Sequence, residues 1–450
     1  MTINSTVLSS SNFWVGVFAA IYLAVLPMSE TIALRNVALF LLLLILSWQF
    51  VKDKTFPHFA LPVILFGVYL IAFPLISRDA PVAWKSLGEQ WGVGLLAMVA
   101  GAGVASRLAS TRWGSSFYLG LVSCVTIVVY LGFVLVHAWQ TSSIPWGYWG
   151  RETHHADLGY AACQGVLLLI ASLVANKKSP KYAIWILVFA CFLATAFARS
   201  RAGLAFSVFA GVLVLVTAAL SSTTVRKAPI FLGLAGVLSA GAMVLGVAAK
   251  NDPRWTYMKS NIVAGWLGDA LQLQCEGTAS VEAQITSMYS TGDLAQRAIS
   301  SVKDGDGSRV VLLRAGTELA LENPWGLDGS RQAYKKLLRL HCPQPDSYMA
   351  HAHNGWVDTA LAIGWLGVLL YFWVFLHYLR TGYRALHASE QPNEWAIVLV
   401  TLSIFWMVRA FTDSVFRDHM FDMQCFVLSY AYFALKATQA KSLHSPQATP

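Results

Sequence analysis

The chain has 450 residues, 56% of them hydrophobic and only 12% charged, with 17 tryptophans and a formal net charge of +9. A water-soluble protein of this length does not carry so apolar a composition, so the sequence describes a polytopic membrane protein. In that setting the positive balance is a topology signal rather than a nucleic-acid footprint.

Apolar runs of about 17 to 25 residues, long enough for a hydrocarbon core of about 30 Å, recur along the chain. They fall near 12–28, 33–51, 59–76, 91–106, 116–139, 157–175, 182–198, 202–221, 229–249, 353–379, 394–412 and 419–436, which predicts about twelve spanning helices. The first is preceded by "MTINSTVLSSSN", which has no Lys or Arg and no evident cleavage site. It is therefore expected to be an uncleaved helix. Cations such as Lys52, Lys54, Arg107, Arg112, Lys177, Lys178, Lys181, Arg226, Lys227, Arg380 and Arg384 fall in alternate loops. The positive-inside rule then puts both termini in the cytoplasm.

This pattern divides the chain into helices one to nine (1–249), an outer loop domain (250–350), helices ten to twelve (351–437) and a polar tail (438–450). Within the loop domain, "GDGSRVVLLRAGTELALENPWGL" has Val310, Leu313, Thr317, Ala320 and Leu321 at helical spacing. Ser308 is a candidate cap and Asn323-Pro324 a stop, so the reading is an amphipathic helix lying on the membrane surface. Cys275 and Cys342 are the only two cysteines of the loop domain, which points to a disulfide in an oxidising compartment such as a periplasm.

Several polar residues are not explained by the membrane. Arg199 and Arg201 sit in the tight outer turn "ARSRAG", where interfacial arginines commonly meet lipid headgroups. A pair of guanidinium groups is also a fork for phosphate, and Arg309 with its helix N-terminus could complete it. His351, His353 and Asn354 precede the tenth apolar run on the same outer side. A lone interfacial histidine is usually packed or hydrated. A base and several cations converging above a lipid-accessible wall instead suit a lipid-linked pyrophosphate donor, with arginines neutralising the leaving group and an imidazole taking a proton from a hydroxyl. Asn354 and Asp358, four residues apart, are expected to orient the histidine. Asp304-Gly305-Asp306 is formally the D-x-D pattern that holds a metal on a diphosphate, but a turn ahead of Ser308 accounts for it, and no metal is assigned. Asp413, Arg417, Asp418 and Arg409 read as internal ion pairs, with lining of the lipid groove as the alternative for Arg409.

The "SRAG" turn (200–203), "SRVVLLRAGTELALENPWGL" (308–327) and "HAHNGWVDTALAIGWLG" (351–367), in this order around one large loop, resemble the O-antigen ligase and polymerase family. The resemblance runs over roughly residues 145 to 370. It implies an all-α, GT-C-like glycosyltransferase of a Gram-negative inner membrane with its site facing the periplasm. The ligase branch transfers O-antigen polysaccharide from undecaprenyl pyrophosphate to lipid A-core, with no metal or other cofactor. By the resemblance, Arg201 matches the arginine of the family's Ser-Arg-Gly-like turn, with Ala202 standing where glycine is common. Arg309 matches the arginine ahead of a Pro-x-Gly segment (Pro324, Gly326), and His353 the histidine before asparagine. Arg199, Arg151 and His351 have looser counterparts. The implied partners are the lipid-linked donor, the lipid A-core acceptor and membrane lipid.

The alternatives within that chemistry are a polymerase or a protein O-oligosaccharyltransferase, and one compact loop of about 100 residues favours the ligase. A transporter of polyprenyl-linked glycans would carry its polar groups near the bilayer midplane on paired broken helices. Here they crowd at one face.

Overall fold

The computed structural model describes residues 10–28, 30–147, 155–176, 178–221, 227–252, 254–289, 292–346, 349–388, 393–416 and 418–444. Every regular element among them is helical. In chain order the first nine helices are α1 (Ser10–Val25), α2 (Ile32–Asp53), α3 (Leu61–Ile76), α4 (Ala80–Leu108), α5 (Ser116–Thr141), α6 (His155–Ala175), α7 (Lys181–Phe197), α8 (Arg201–Ser221) and α9 (Lys227–Asn251). Six shorter helices follow: α10 (Arg254–Gly265), α11 (Ala270–Glu276), α12 (Ala279–Met288), α13 (Gly292–Lys303), α14 (Asp306–Glu322) and α15 (Ala333–His341). The chain then returns to long helices in α16 (Gly355–His387), α17 (Glu394–Arg409) and α18 (Asp418–His444).

Each predicted apolar run lies on one of α1–α9 or α16–α18. Among the described residues, seven helices (α2, α4, α5, α6, α8, α9 and α16) are long and apolar enough, by length and composition, to cross a membrane. The chain is a polytopic membrane protein. Three further apolar helices, in α1, α3 and α7, are shorter. α17 has only 16 residues and carries Glu394 and Arg409 at its ends, while α18 carries Asp422 and Gln424 among its apolar residues. The fourth helix begins well before the predicted run, because Asp79 accepts from the Val82 amide at 3.2 Å and Pro81 suits a first turn.

Helices α6 and α8 meet at two glycines. A Cβ on Gly203 would stand 2.7 Å from the Gly159 Cα, so the glycine of the "SRAG" turn is a place where two backbones touch, as small residues allow between membrane helices. A second backbone contact joins the short helices to α16. That helix breaks at Gly364 (φ 77°, ψ 169°), and the Pro324–Gly329 segment fills the break. The Trp365 amide donates to the Pro324 carbonyl at 2.9 Å, the Leu327 amide to Leu361 at 3.0 Å and the Gly329 amide to Ala362 at 2.9 Å. The Tyr69 hydroxyl satisfies the Ile363 carbonyl at 2.5 Å. Thus the backbone groups freed by the break are paired, as burial requires.

Helix α14 is the centre of the inserted helices and packs on α10, α11, α13, α15 and α16. Its buried face is Gly307, Ser308, Val311, Leu312, Ala315, Gly316, Leu319 and Ala320. Of the predicted stripe only Ala320 is on this face: Val310, Leu313 and Thr317 are half-buried, and Leu321 is exposed, so the stripe is rotated. Small residues define the true face because they let neighbours approach closely. Its start also differs, since Ser308 lies in the first turn and Ser301 Oγ accepts from the Gly307 amide at 3.0 Å. The predicted stop at Asn323 holds. Cys275 and Cys342 are joined by a disulfide, with Cα atoms 5.9 Å apart, which ties α11 to the end of α15.

Candidate active site

The residues singled out in the sequence gather at one end of the bundle, where the α7–α8 turn, the α14 N-terminus, the segment before α16 and the α17–α18 turn come together. They form two linked clusters.

The first is built on the α7–α8 turn. Arg199 takes a left-handed backbone (φ 52°), its amide donates to the Ala196 carbonyl at 2.9 Å, and its exposed side chain lies alongside Gly147. Arg201 opens α8 and grips Asp306, the first residue of α14, with Nη1 and Nη2 at 2.9 and 2.6 Å from the two carboxylate oxygens. Both side chains are largely buried. The D-x-D pattern is thereby accounted for: Asp306 serves Arg201, and Asp304 is exposed. Arg309 stands three residues past Asp306 on the same helix, a spacing that puts the two side chains on neighbouring positions of one face. Its side chain is exposed. Arg151 lies outside the described residues.

Arg254 was not anticipated. It closes on Asp252 through Nε (2.8 Å) and Nη2 (2.7 Å) and donates from Nη2 to the Arg199 carbonyl at 3.0 Å, while its own carbonyl accepts from Arg201 Nη1 at 3.1 Å. Burial pushes the Asp252 carboxyl up, but hydrogen bonds from Arg254 and the charges of Arg254 and Arg201 outweigh it and hold the group below the usual carboxylate range. The signal was an arginine two residues from an aspartate just beyond an apolar run. The turn thus holds three arginines in a frame fixed by two aspartates.

The second cluster surrounds the histidines. His353 adopts a left-handed backbone (φ 53°) that turns the chain into α16. Its Nδ1 lies 3.6 Å from an Asp413 carboxylate oxygen, an ion-pair distance rather than a hydrogen bond. The other Asp413 oxygen accepts from Arg409 Nη2 at 2.9 Å and from the Tyr160 hydroxyl at 2.7 Å. The Arg409 guanidinium also lies over the rings of Tyr160 and Phe206, 4.9 and 4.8 Å from their centroids, so a buried cation is faced by a carboxylate and two aromatic rings. Burial raises the Asp413 carboxyl, yet His353, Arg409 and Tyr160 together keep it well below the usual range. It is therefore a fixed negative charge beside His353. Of the four residues read as internal ion pairs, Arg409 and Asp413 pair with each other. Arg417 lies outside the described residues, and of Asp418 only the backbone is described.

His351 stacks edge-on against His353, with ring centroids 4.2 Å apart, and its Nδ1 is 3.0 Å from Ser414 Oγ. Ser414 in turn donates to Asp358, whose other oxygen accepts from the Ala352 amide at 2.7 Å. Asn354 and Asp358 do not act as one orienting pair. Asn354 caps α16 by accepting from the Val357 amide at 3.0 Å and donates to the Phe411 carbonyl at 3.1 Å. It holds the α17–α18 turn against the histidine segment, and Asp358 supports His351 through Ser414. His419, 3.2 Å from Asp157, extends the rim and was not anticipated.

The two clusters share helices. Gly203, two residues past Arg201, touches Gly159, whose neighbour Tyr160 binds Asp413. Phe206 of α8 lies under Arg409. The arginine turn and the histidine are thus parts of one frame, able to combine fixed positive charge with a proton acceptor.

Residues 166–372 match the family model described as O-Antigen ligase, and no curated protein matches the chain. The matched stretch includes Arg199, Arg201, Arg309, His351, His353 and Asn354, and stops short of Tyr160, Arg409 and Asp413. Members of this family are enzymes, ligases and polymerases of lipid-linked glycans. The chain therefore carries an O-antigen ligase family domain over residues 166–372, within a polytopic membrane protein.

Proposed function

We propose that the protein is an O-antigen ligase, which transfers O-antigen polysaccharide from undecaprenyl pyrophosphate to lipid A-core at the periplasmic face of a bacterial inner membrane. In this reading α1–α9 and α16–α18 give twelve spans, residues 250–350 form a periplasmic loop domain, and residues 438–450 are a cytoplasmic tail. The observation that carries the proposal is the pairing of His353, which lies in the stretch matched to this family, with Asp413 beside the arginine turn.

His353 acts as general base. With Asp413 facing Nδ1, the ring is favoured in the form that keeps the proton on Nδ1, which leaves Nε2 free to accept one. The acceptor hydroxyl attacks the anomeric carbon of the first sugar while Nε2 removes its proton. The bond from that carbon to the pyrophosphate oxygen breaks, and the electron pair leaves with undecaprenyl pyrophosphate. A single displacement inverts the anomeric configuration. As the imidazolium forms, the fixed Asp413 charge stabilises it, and a base of this kind contributes roughly 10² to 10⁴ in rate.

Arg201, Arg309, Arg199 and Arg151 hold the pyrophosphate, with no metal in the step. Arg201 is engaged by Asp306, so in this reading the pyrophosphate displaces that carboxylate. Guanidinium binds phosphate in the same bidentate way. His351 and Asn354 support the base, one through the Ser414–Asp358 chain and one through the α16 cap.

The test is reconstitution of the purified protein with an undecaprenyl-pyrophosphate-linked glycan and three acceptors: lipid A-core, a growing glycan and an acceptor protein. Transfer to lipid A-core is expected. Transfer only to glycan would make it a polymerase, and transfer only to protein an O-oligosaccharyltransferase. Movement of the glycan lipid across the bilayer with no transfer would favour a transporter.

A further inference from the structure

At the end of the bundle away from the histidines, α17 lies between α8 and α16 and touches both. The outer two helices are held apart there, and a cleft of about 690 Å³ opens between them with Val400 and Ile404 of α17 among its lining residues. That size is within the range of about 300 to 1,000 Å³ typical of ligand sites. Its walls are strongly apolar: Leu220 of α8 is 77% exposed, and Trp373 and Leu376 of α16 are each 41% exposed. One end is different. Arg380, Tyr383 and His387 line it, at spacings that keep them along one face of α16.

This is more than ordinary lipid-facing helix surface. A membrane helix face without a recess meets fluid lipid chains, whereas here two helices form walls around a third. The polar end carries a cation and no acid: no Asp or Glu lines the cleft among the described residues. Arg380 is exposed. The His387 ring packs against the Tyr383 ring at 4.3 Å, and its Nδ1 donates to the Tyr383 carbonyl at 2.9 Å, which leaves Nε2 for another partner. His377 is turned to the Tyr432 hydroxyl at 3.4 Å and serves as wall. An apolar trough ending in a guanidinium, a phenol and an imidazole is complementary to a molecule with hydrocarbon chains and one phosphodiester.

We infer that this cleft is a binding site for an anionic diacyl glycerophospholipid, its acyl chains along Leu220, Trp373 and Ile404 and its phosphate on Arg380. The site is separate from the histidine cluster and does not depend on the glycosyltransfer reading. Native mass spectrometry of the full chain, purified in detergent and exposed to equal phosphatidylglycerol and phosphatidylcholine, tests it. The wild type should retain phosphatidylglycerol in preference. Arg380→Gln should weaken that retention about fivefold, the amount one cation near a membrane surface supplies. Ile404→Trp, which fills the floor, should abolish it. Equal retention of the two lipids by the wild type, an unchanged preference in Arg380→Gln, or preferential retention of undecaprenyl phosphate over phosphatidylglycerol would each overturn the inference. Thermal denaturation of both variants shows whether a loss reflects the site or the fold. Lost preference in a variant that melts like the wild type supports the inference. If Ile404→Trp melts early, Arg380→Gln decides alone.

Discussion

Arg201 and Asp306 form a bidentate ion pair, 2.6 and 2.9 Å between guanidinium nitrogens and carboxylate oxygens, across the junction of α8 and α14. The arginine expected to hold a pyrophosphate is thus already holding an anion, at the N-terminus of a helix, where anions are favoured. Structural pairing and donor binding draw on the same group.

Two substitutions separate these roles. Arg201→Ala should destabilise the fold, because it leaves Asp306 largely buried without its partner, at a cost of about 3 kcal/mol or more. Arg201→Lys keeps the charge but not the fork. It should preserve most of the melting temperature while transfer falls on the order of 10² as an electrostatic clamp is lost. Thermal denaturation and a transfer assay on both variants check this, and wild-type transfer by Arg201→Lys would count against the clamp.

Asp413→Asn tests the charge beside His353. The maximal transfer rate should fall, because the imidazolium formed in the step loses its counter-charge. Asp413 itself, held well below the usual carboxylate range, should contribute no limb to the pH–rate profile near neutrality. An unchanged maximal rate would show that Asp413 acts only through packing.

Gly326→Ala should be severe although it touches no polar side chain. A Cβ there would stand 2.4 Å from the Gly364 nitrogen, and the backbone at this position has φ 75°. We expect a loss of about 2 to 4 kcal/mol in stability, from overpacking combined with a disfavoured backbone conformation. Denaturation of the purified variant measures it. A melting temperature like the wild type's would mean that the Pro324–Gly329 segment does not lock into the break of α16.

Paired Cys275→Ser and Cys342→Ser substitutions remove the link between α11 and the end of α15. A disulfide that closes a loop of this length stabilises by about 2 to 4 kcal/mol, so the variant should melt earlier yet transfer normally at low temperature. An impermeant thiol reagent, applied to intact cells with single-cysteine variants of this loop, checks the periplasmic assignment. Labelling only after membrane rupture would contradict it.

The helices were legible because each needs about twenty apolar residues in succession, a signal that survives without tertiary context. The disulfide was legible for a similar reason: the loop offers just one pair of cysteines, and Cys275 and Cys342 are bonded. Arg409 with Asp413 was readable because the two are four residues apart and a buried cation needs a partner. The face of α14 was misjudged because Gly307, Ala315 and Gly316 carry little hydrophobic weight in a sequence pattern, although they permit the closest packing. The pairing of Arg201 with Asp306, and of Tyr160 with Asp413, joins residues far apart in the chain, and no local spacing encodes it. The same holds for Gly326 against Gly364, where the sequence displays two glycines and the fold makes of them one contact.

The central claim is that His353 removes the acceptor proton. The most direct measurement compares His353→Asn and His351→Asn at matched expression, scoring glycan transfer and donor binding separately. Asparagine tolerates the left-handed backbone at position 353, so the turn into α16 is preserved. The account predicts that His353→Asn still binds the undecaprenyl-pyrophosphate donor but transfers no more than about 1% of the wild-type rate, with a smaller loss for His351→Asn. Wild-type transfer by His353→Asn would contradict it, and abolition by His351→Asn alone would move the base to that residue.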